Sequence, residues 1–158
     1  MRLTSLLDPR SIAVPLRAPD RDGAIAELLD AIVRSGHLEP SLRESALRAV
    51  LARERSLSTG MEHGVALPHG AVDGLAAPVC AMGVHPSGVP FSSLDGSPAR
   101  LIVLMLLPRN HNGQIATLAG IARLLNDAPL RGRLHAASTA SEILSTLGTG
   151  EATEEALS

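Results

Sequence analysis

Tryptophan and tyrosine are absent from the 158 residues, and Phe91 is the one phenylalanine. The core must therefore be aliphatic, and the lack of rings argues against a base-stacking platform for single-stranded nucleic acid. Lysine is absent too: all 14 basic residues are arginine, set against 16 acidic residues for a net charge of -2. We read the missing lysine as GC-rich coding bias rather than function. No run of arginines forms a stripe for a phosphate backbone, so nucleic acid is not an expected partner. The single cysteine, Cys80, excludes an internal disulfide and sits in an apolar stretch, where it reads as a small buried hydrophobe. The longest apolar run, residues 101–108, is too short to span a bilayer. No charged start, apolar core and small-residue cleavage site is found. The expectation is a cytoplasmic protein with no direct membrane insertion.

What is present suits one globular domain. Apolar residues make up 45% of the chain, and a domain of this size buries roughly 70% of its unfolded surface without disulfide or metal. Residues 11–16 read as a short strand ending near Pro15. Asp20 opens a helix whose Ile25, Leu28, Leu29, Ile32 and Val33 form one apolar stripe, closed by Gly36. Ser41 and Glu44 read as a capping box for a second helix that runs out near residues 53–55. Residues 78–84 read as a strand, Asp95-Gly96 as a turn, and residues 100–107 as a central strand apolar on both faces. Helices are expected from about Gly113 and from Asp127, and a last one from Thr139 and Glu142 through Leu147, closed by Gly148. The domain is expected over residues 1–148, with residues 149–158 a frayed polar tail. Helices before, between and after strands place the fold in the α/β (α+β) class.

The stretch with chemical character is residues 58–70. His63 and His69, three glycines and Pro68 surround the apolar run Val65-Ala66-Leu67. Pro68 fixes the chain before His69, and Gly70 leaves room beside it. His69 thus reads as an imidazole held at the exposed end of a strand. On these residues alone, a loop histidine without a role is an equally open reading.

Several motifs stand in order along the chain: Leu6-Leu7-Asp8-Pro9-Arg10-Ser11-Ile12, then Arg53-Glu54, then Ser58-Thr59-Gly60, then Gly64-Val65-Ala66-Leu67-Pro68-His69. Phe91, Asp95-Gly96 and residues 101–105 follow. Together they resemble the enzyme IIA type-2 family of the bacterial sugar phosphotransferase system, the fructose/mannitol and nitrogen-regulatory class. The resemblance implies a mixed, roughly five-stranded sheet flanked by helices. It implies that His69 accepts a phosphoryl group from the phosphocarrier HPr and passes it to an enzyme IIB, or signals with it to a regulatory target protein. It assigns phosphate stabilisation to Arg53, and it favours Nε2 as the attacking atom. Where many members carry a second histidine, this chain has Gln114, with His111 three residues earlier.

The chemistry is consistent with that assignment. Neutral imidazole is nucleophilic, and a histidine of ordinary pKa, about 6.5, is mostly neutral at cytoplasmic pH. Phosphoryl transfer asks for positioning and for charge stabilisation on the equatorial oxygens, which a planar guanidinium supplies. Thr59, His63, His111 and Gln114 are further candidates to line the site. Met61, Val89 and Phe91 are candidates for an apolar rim, with core as the alternative for all three and the favoured reading for Phe91; Glu62 is expected beside the site. No metal or cofactor is expected, because no carboxylate or thiolate stands at ligand spacing from the histidines. His85 reads as a strand-end residue, and His37 and His135 as helix-end surface residues.

Overall fold

A computed structural model of the chain describes residues 2–110 and 112–157. Its centre is a mixed five-stranded sheet. Strand β1 (Ile12–Ala13) pairs in parallel with β4 (Val79–Val89), and β4 pairs antiparallel with β5 (Ala99–Pro108). On the far side of β5 lie two short parallel pieces, β2 (Val65–Ala66) and β3 (His69–Val72). Val65 is opposite Leu101 and His69 opposite Met105, so β2 and β3 are one edge broken at Leu67-Pro68.

Helices cover both faces. α2 (Arg21–Ser35) and α3 (Arg43–Ser56) bring Ile25, Leu28, Ile32 and Val50 against Ala66, Ala81, Ile102 and Leu104. α1 (Leu3–Leu6), α4 (Gln114–Leu125), α5 (Ala128–Ala136) and α6 (Ala140–Leu157) pack Leu3, Leu124, Leu134 and Leu147 against Val65, Met82, Val103 and Met105. From Leu101 to Leu107, β5 alternates between these two sets, as its side-chain period of two and burial on both faces require.

Local signals explain most boundaries. The Asp20 carboxylate accepts Gly23 N at 2.7 Å to start α2, and Gly36 ends it at φ +83°. Asp127 caps α5 through Leu130 N, and Thr139 Oγ1 accepts Glu142 N. The Ser41–Glu44 capping box does not form: a 3₁₀ turn at Pro40–Leu42 leads into α3, and Glu44 pairs with Arg43 at 2.6 Å. The expected frayed tail is also corrected. α6 continues past Gly148 to Leu157, because Gly150 lets it approach Leu130 and because Glu151, 7% exposed, accepts Thr4 Oγ1 at 2.7 Å.

Candidate active site

His69 is the first residue of β3, and Met105 N donates to the preceding Pro68 O at 3.0 Å. Parallel partners share a face, so its imidazole lies on the side covered by α4–α6, with Met105. Gly70 turns to the opposite face, where α3 presses on it. A Cβ there would stand 3.1 Å from Val50 N and from Val50 Cγ2. The expected exposed strand end is half right: the position is a strand end, but only 9% of His69 is accessible.

The ring is oriented by one bond, His69 Nδ1 to Leu67 O at 2.9 Å. A carbonyl oxygen only accepts, so Nδ1 carries the hydrogen. Nε2 is then the unprotonated nitrogen, and it has no hydrogen-bond partner among the described residues. The tautomer that makes Nε2 a nucleophile is therefore built in by the backbone.

Arg53 belongs to the last turn of α3. That helix runs antiparallel to β3, since Leu42 at its start lies by Gly74 and Val50 by Gly70. Its C-terminal end therefore approaches the His69 end of the strand, with Arg53 one turn beyond the Val50–Gly70 contact. Arg53 Nη1 donates to Leu57 O at 2.6 Å, and no carboxylate pairs with it among the described residues. Most of its five N–H donors thus remain available.

Thr59 is 8% exposed, and its hydroxyl proton is already engaged, donated to Glu54 Oε2 at 2.6 Å. Its amide also donates to Glu54, at 3.1 Å to Oε1 and 3.3 Å to Oε2. Glu54 is 2% exposed and was not singled out by sequence reasoning, although its place beside Arg53 and five residues before Thr59 marks it.

Gln114 opens α4 after Gly113, which caps it at φ +90° without a side chain. Residues 109–113 connect the end of β5 to this turn; that end, Pro108, lies opposite Val72, three residues along β3 from His69, and α4 packs on the face that carries the His69 ring. His111 lies outside the described residues. His63 is not brought to the site. It occupies a hairpin tip at φ +63°, held by His63 N donating to Asp95 Oδ2 at 3.0 Å. Val65 alone is four residues from His69 along the edge, or about 13 Å at strand spacing, and His63 lies beyond it. Glu62 shares that tip, in a shallow hollow with Met61, Leu94 and Asn126, rather than standing beside His69.

The expected rim changes membership. Val89 and Phe91 are core, 0% and 1% exposed: Val89 pairs with Ala99 in the sheet, and the segment at 58–60 closes over Phe91, whose O accepts Ser58 Oγ. Met61 packs partly buried against the α4–α6 core. Large apolar side chains that are exposed instead include Leu57, 68% exposed after α3, and Ile115, 84% exposed in the first turn of α4.

The remaining titratable groups stay clear of this chemistry. Burial raises the Cys80 thiol to about 12, which makes it inert. His85 is buried, with Nε2 donating to Ala18 O at 2.9 Å and Nδ1 accepting Gly88 N at 2.9 Å. His135 is half-buried rather than a surface residue. Among the described residues no group of three or more His, Cys, Asp or Glu could hold a metal ion, and no helix is long and apolar enough to cross a membrane.

Comparison with known proteins shows the family. Residues 5–149 match the family described as "Phosphoenolpyruvate-dependent sugar phosphotransferase system, EIIA 2". The "PTS system fructose-specific EIIABC component" of Bacillus subtilis is 28% identical over 145 residues, covering 91% of this chain; the chain spans 22% of that relative's length. A "Nitrogen regulatory protein" of Bradyrhizobium diazoefficiens is 30% identical over 154 residues, covering 97% of this chain and 99% of the relative. The crystal structure of nitrogen regulatory protein IIA-Ntr from Neisseria meningitidis superposes with a TM-score of 0.81 at 26% identity, covering 91% of this chain and 97% of that one. With its match over nearly the whole length and the His69 strand end intact, the chain belongs to the EIIA type-2 family of the phosphoenolpyruvate-dependent sugar phosphotransferase system.

Proposed function

We propose that this chain is a phosphocarrier that takes a phosphoryl group from phospho-HPr on His69 Nε2 and hands it to an enzyme IIB. The observation that carries the reading is the Nδ1–H···O=C bond to Leu67, which leaves Nε2 as the nucleophile. The Nε2 lone pair attacks phosphorus in line, and the bond from phosphorus to the donor's histidine nitrogen breaks, that nitrogen keeping the electron pair. Positive charge grows on the ring, and the Leu67 carbonyl stabilises it through Nδ1–H. The Arg53 donors left free among the described residues suit the equatorial oxygens. The B unit named together with the A unit in the fructose-specific relative supports a IIB acceptor.

Incubation with enzyme I, HPr and phosphoenolpyruvate should add one acid-labile, base-stable phosphate, read by intact mass. His69→Ala should abolish the addition and His63→Ala should not. The reverse pattern would move the chemistry to the hairpin tip. A regulatory role, in which the phosphorylation state of His69 controls a target protein without sugar transport, is favoured by the nearly full-length match to the nitrogen regulatory protein. Phosphoryl transfer from the labelled chain to a purified IIB separates the two readings, since a purely regulatory chain retains its label.

A further inference from the structure

Glu54 is the most deeply buried carboxylate among the described residues, 2% exposed, and no cation pairs with it there. An unpaired buried charge is tolerated only when hydrogen bonds satisfy it. Among the described residues, every side-chain hydrogen bond to it comes from one residue. Thr59 Oγ1 donates at 2.6 Å and Thr59 N at 3.1 Å and 3.3 Å. A neutral side chain would fill the same space without the desolvation penalty, so packing alone does not account for a carboxylate.

The bonds continue in one direction. Thr59 O accepts Leu67 N at 3.2 Å, and Leu67 O accepts His69 Nδ1 at 2.9 Å. Gly60 bridges Ala66 antiparallel beside this pair, so residues 59–60 form a short outer edge against residues 66–67. From the other side, Leu57 O receives Arg53 Nη1 at 2.6 Å. The three-residue link 57–59 is therefore clamped at Leu57 by Arg53 and at Thr59 by Glu54, adjacent residues of one helical turn.

We propose that Glu54 is a positioning residue of the phosphoryl-transfer site, fixing through Thr59 and Leu67 both the tautomer of His69 and the distance between that ring and Arg53. The proposal rests on His69 being the phosphoryl acceptor. Without the carboxylate, Thr59 loses the partner of its amide and its hydroxyl, the 59–67 pairing loosens, and the Leu67 carbonyl no longer holds the hydrogen on Nδ1. The ring then populates the form with hydrogen on Nε2, which has no lone pair to attack with.

Glu54→Gln keeps the shape and one acceptor, and Glu54→Ala removes both. Thr59→Val removes the hydroxyl at nearly constant volume and serves as the second route should the Glu54 variants fail to fold. Two readings are taken on each: the ¹⁵N shifts of the His69 ring in the unphosphorylated protein, and single-turnover phosphorylation across a range of phospho-HPr. The expected result is a shift of the ring toward the Nε2–H form in all three. The saturating rate should fall by roughly 10- to 100-fold in Glu54→Ala, the scale set by small misplacements of reacting groups, and by less in Glu54→Gln. The half-saturating concentration of phospho-HPr should not change. A wild-type ring tautomer together with a wild-type saturating rate in the folded variants overturns the proposal. If the wild-type chain takes no phosphate on His69, the functional reading fails instead, and the ring shifts alone still decide whether Glu54 sets the tautomer.

Discussion

Arg53 shows what single residues contribute at this site, because among the described residues its guanidinium is anchored at one nitrogen and unpaired at the rest. Anchoring by Leu57 O removes freedom that would otherwise be lost on binding phosphate, and the open fork then meets charge as it develops. Arg53→Ala should raise the barrier of the single-turnover step by roughly 2–4 kcal/mol while leaving thermal stability nearly unchanged. An unaltered rate would remove Arg53 from the mechanism. His85 makes the opposite case of a histidine wholly occupied by structure. Its Nδ1 accepts Gly88 N at 2.9 Å and Ser87 N at 3.3 Å, and its Nε2 donates to Ala18 O. His85→Ala strands these backbone groups and should lower stability by about 1–3 kcal/mol in a denaturant melt with the rate of phosphoryl transfer unchanged. A loss of transfer at full stability would instead place His85 in the chemistry.

At the scale of elements, the edge of the sheet and α3 act together. The backbone of α3 at Ala49 and Val50 lies so close to β3 that the Cβ of an alanine at Gly70 would sit 3.1–3.3 Å from it. Backbone cannot yield as a side-chain tip can, so Gly70→Ala should push the helix away. The expected cost is roughly 1–3 kcal/mol of stability, with slower phosphoryl transfer because Arg53 moves with the helix. Full stability and full rate in that variant would mean that the helix position is not critical. The sequence made this edge legible: Pro68-His69-Gly70 and Val65-Ala66 announce a broken strand, and the apolar run at 101–107 announces its partner. It was less informative where tertiary contact decides. Val89 and Phe91 stand near turn residues, which leaves rim and core both open, and the tertiary contacts decide for core: Val89 pairs with Ala99 and the 58–60 segment folds over Phe91. Glu62 and His63 are close to His69 in sequence, but an extended edge carries them away from it. The polar spelling of residues 149–157 hid a docked helix, because its anchors are a glycine against Leu130 and a buried Glu151 rather than an apolar stripe. Removing residues 149–157 should therefore lower stability by about 1–3 kcal/mol, the scale of losing buried hydrogen-bond partners. An unchanged melt would show that the last turns of α6 are only appended.

For the whole molecule, the perturbed titratable groups set a direction of stability with pH. Asp95 is held down at about 2, first by the Ser97 hydroxyl and then by the amides of His63 and Ser97, and Arg10 and Arg109 lower Asp8 and Asp73 in the same sense. Their stabilisation is complete above the ordinary aspartate value of 3.8 and is lost as pH falls through the folded values. A separate and earlier loss is expected from His135. Burial first, then the positive charges of Arg100 and Arg131, lower its pKa below the ordinary 6.5, and its Nδ1 is buried without a hydrogen-bond partner among the described residues. The unfolded chain therefore binds a proton at this residue at a pH where the folded chain does not, and stability must fall as pH drops below 6.5 toward the folded value. Melts taken in steps from pH 7.5 to 5 should show a declining midpoint before any aspartate titrates. His135→Gln, which cannot take up a proton, should flatten that segment and leave the steeper loss below pH 3.8 in place. Equal slopes in the variant and the parent between pH 6.5 and 5 would assign the early acid loss to another histidine and would show that the positive charge of Arg100 and Arg131 is screened from His135.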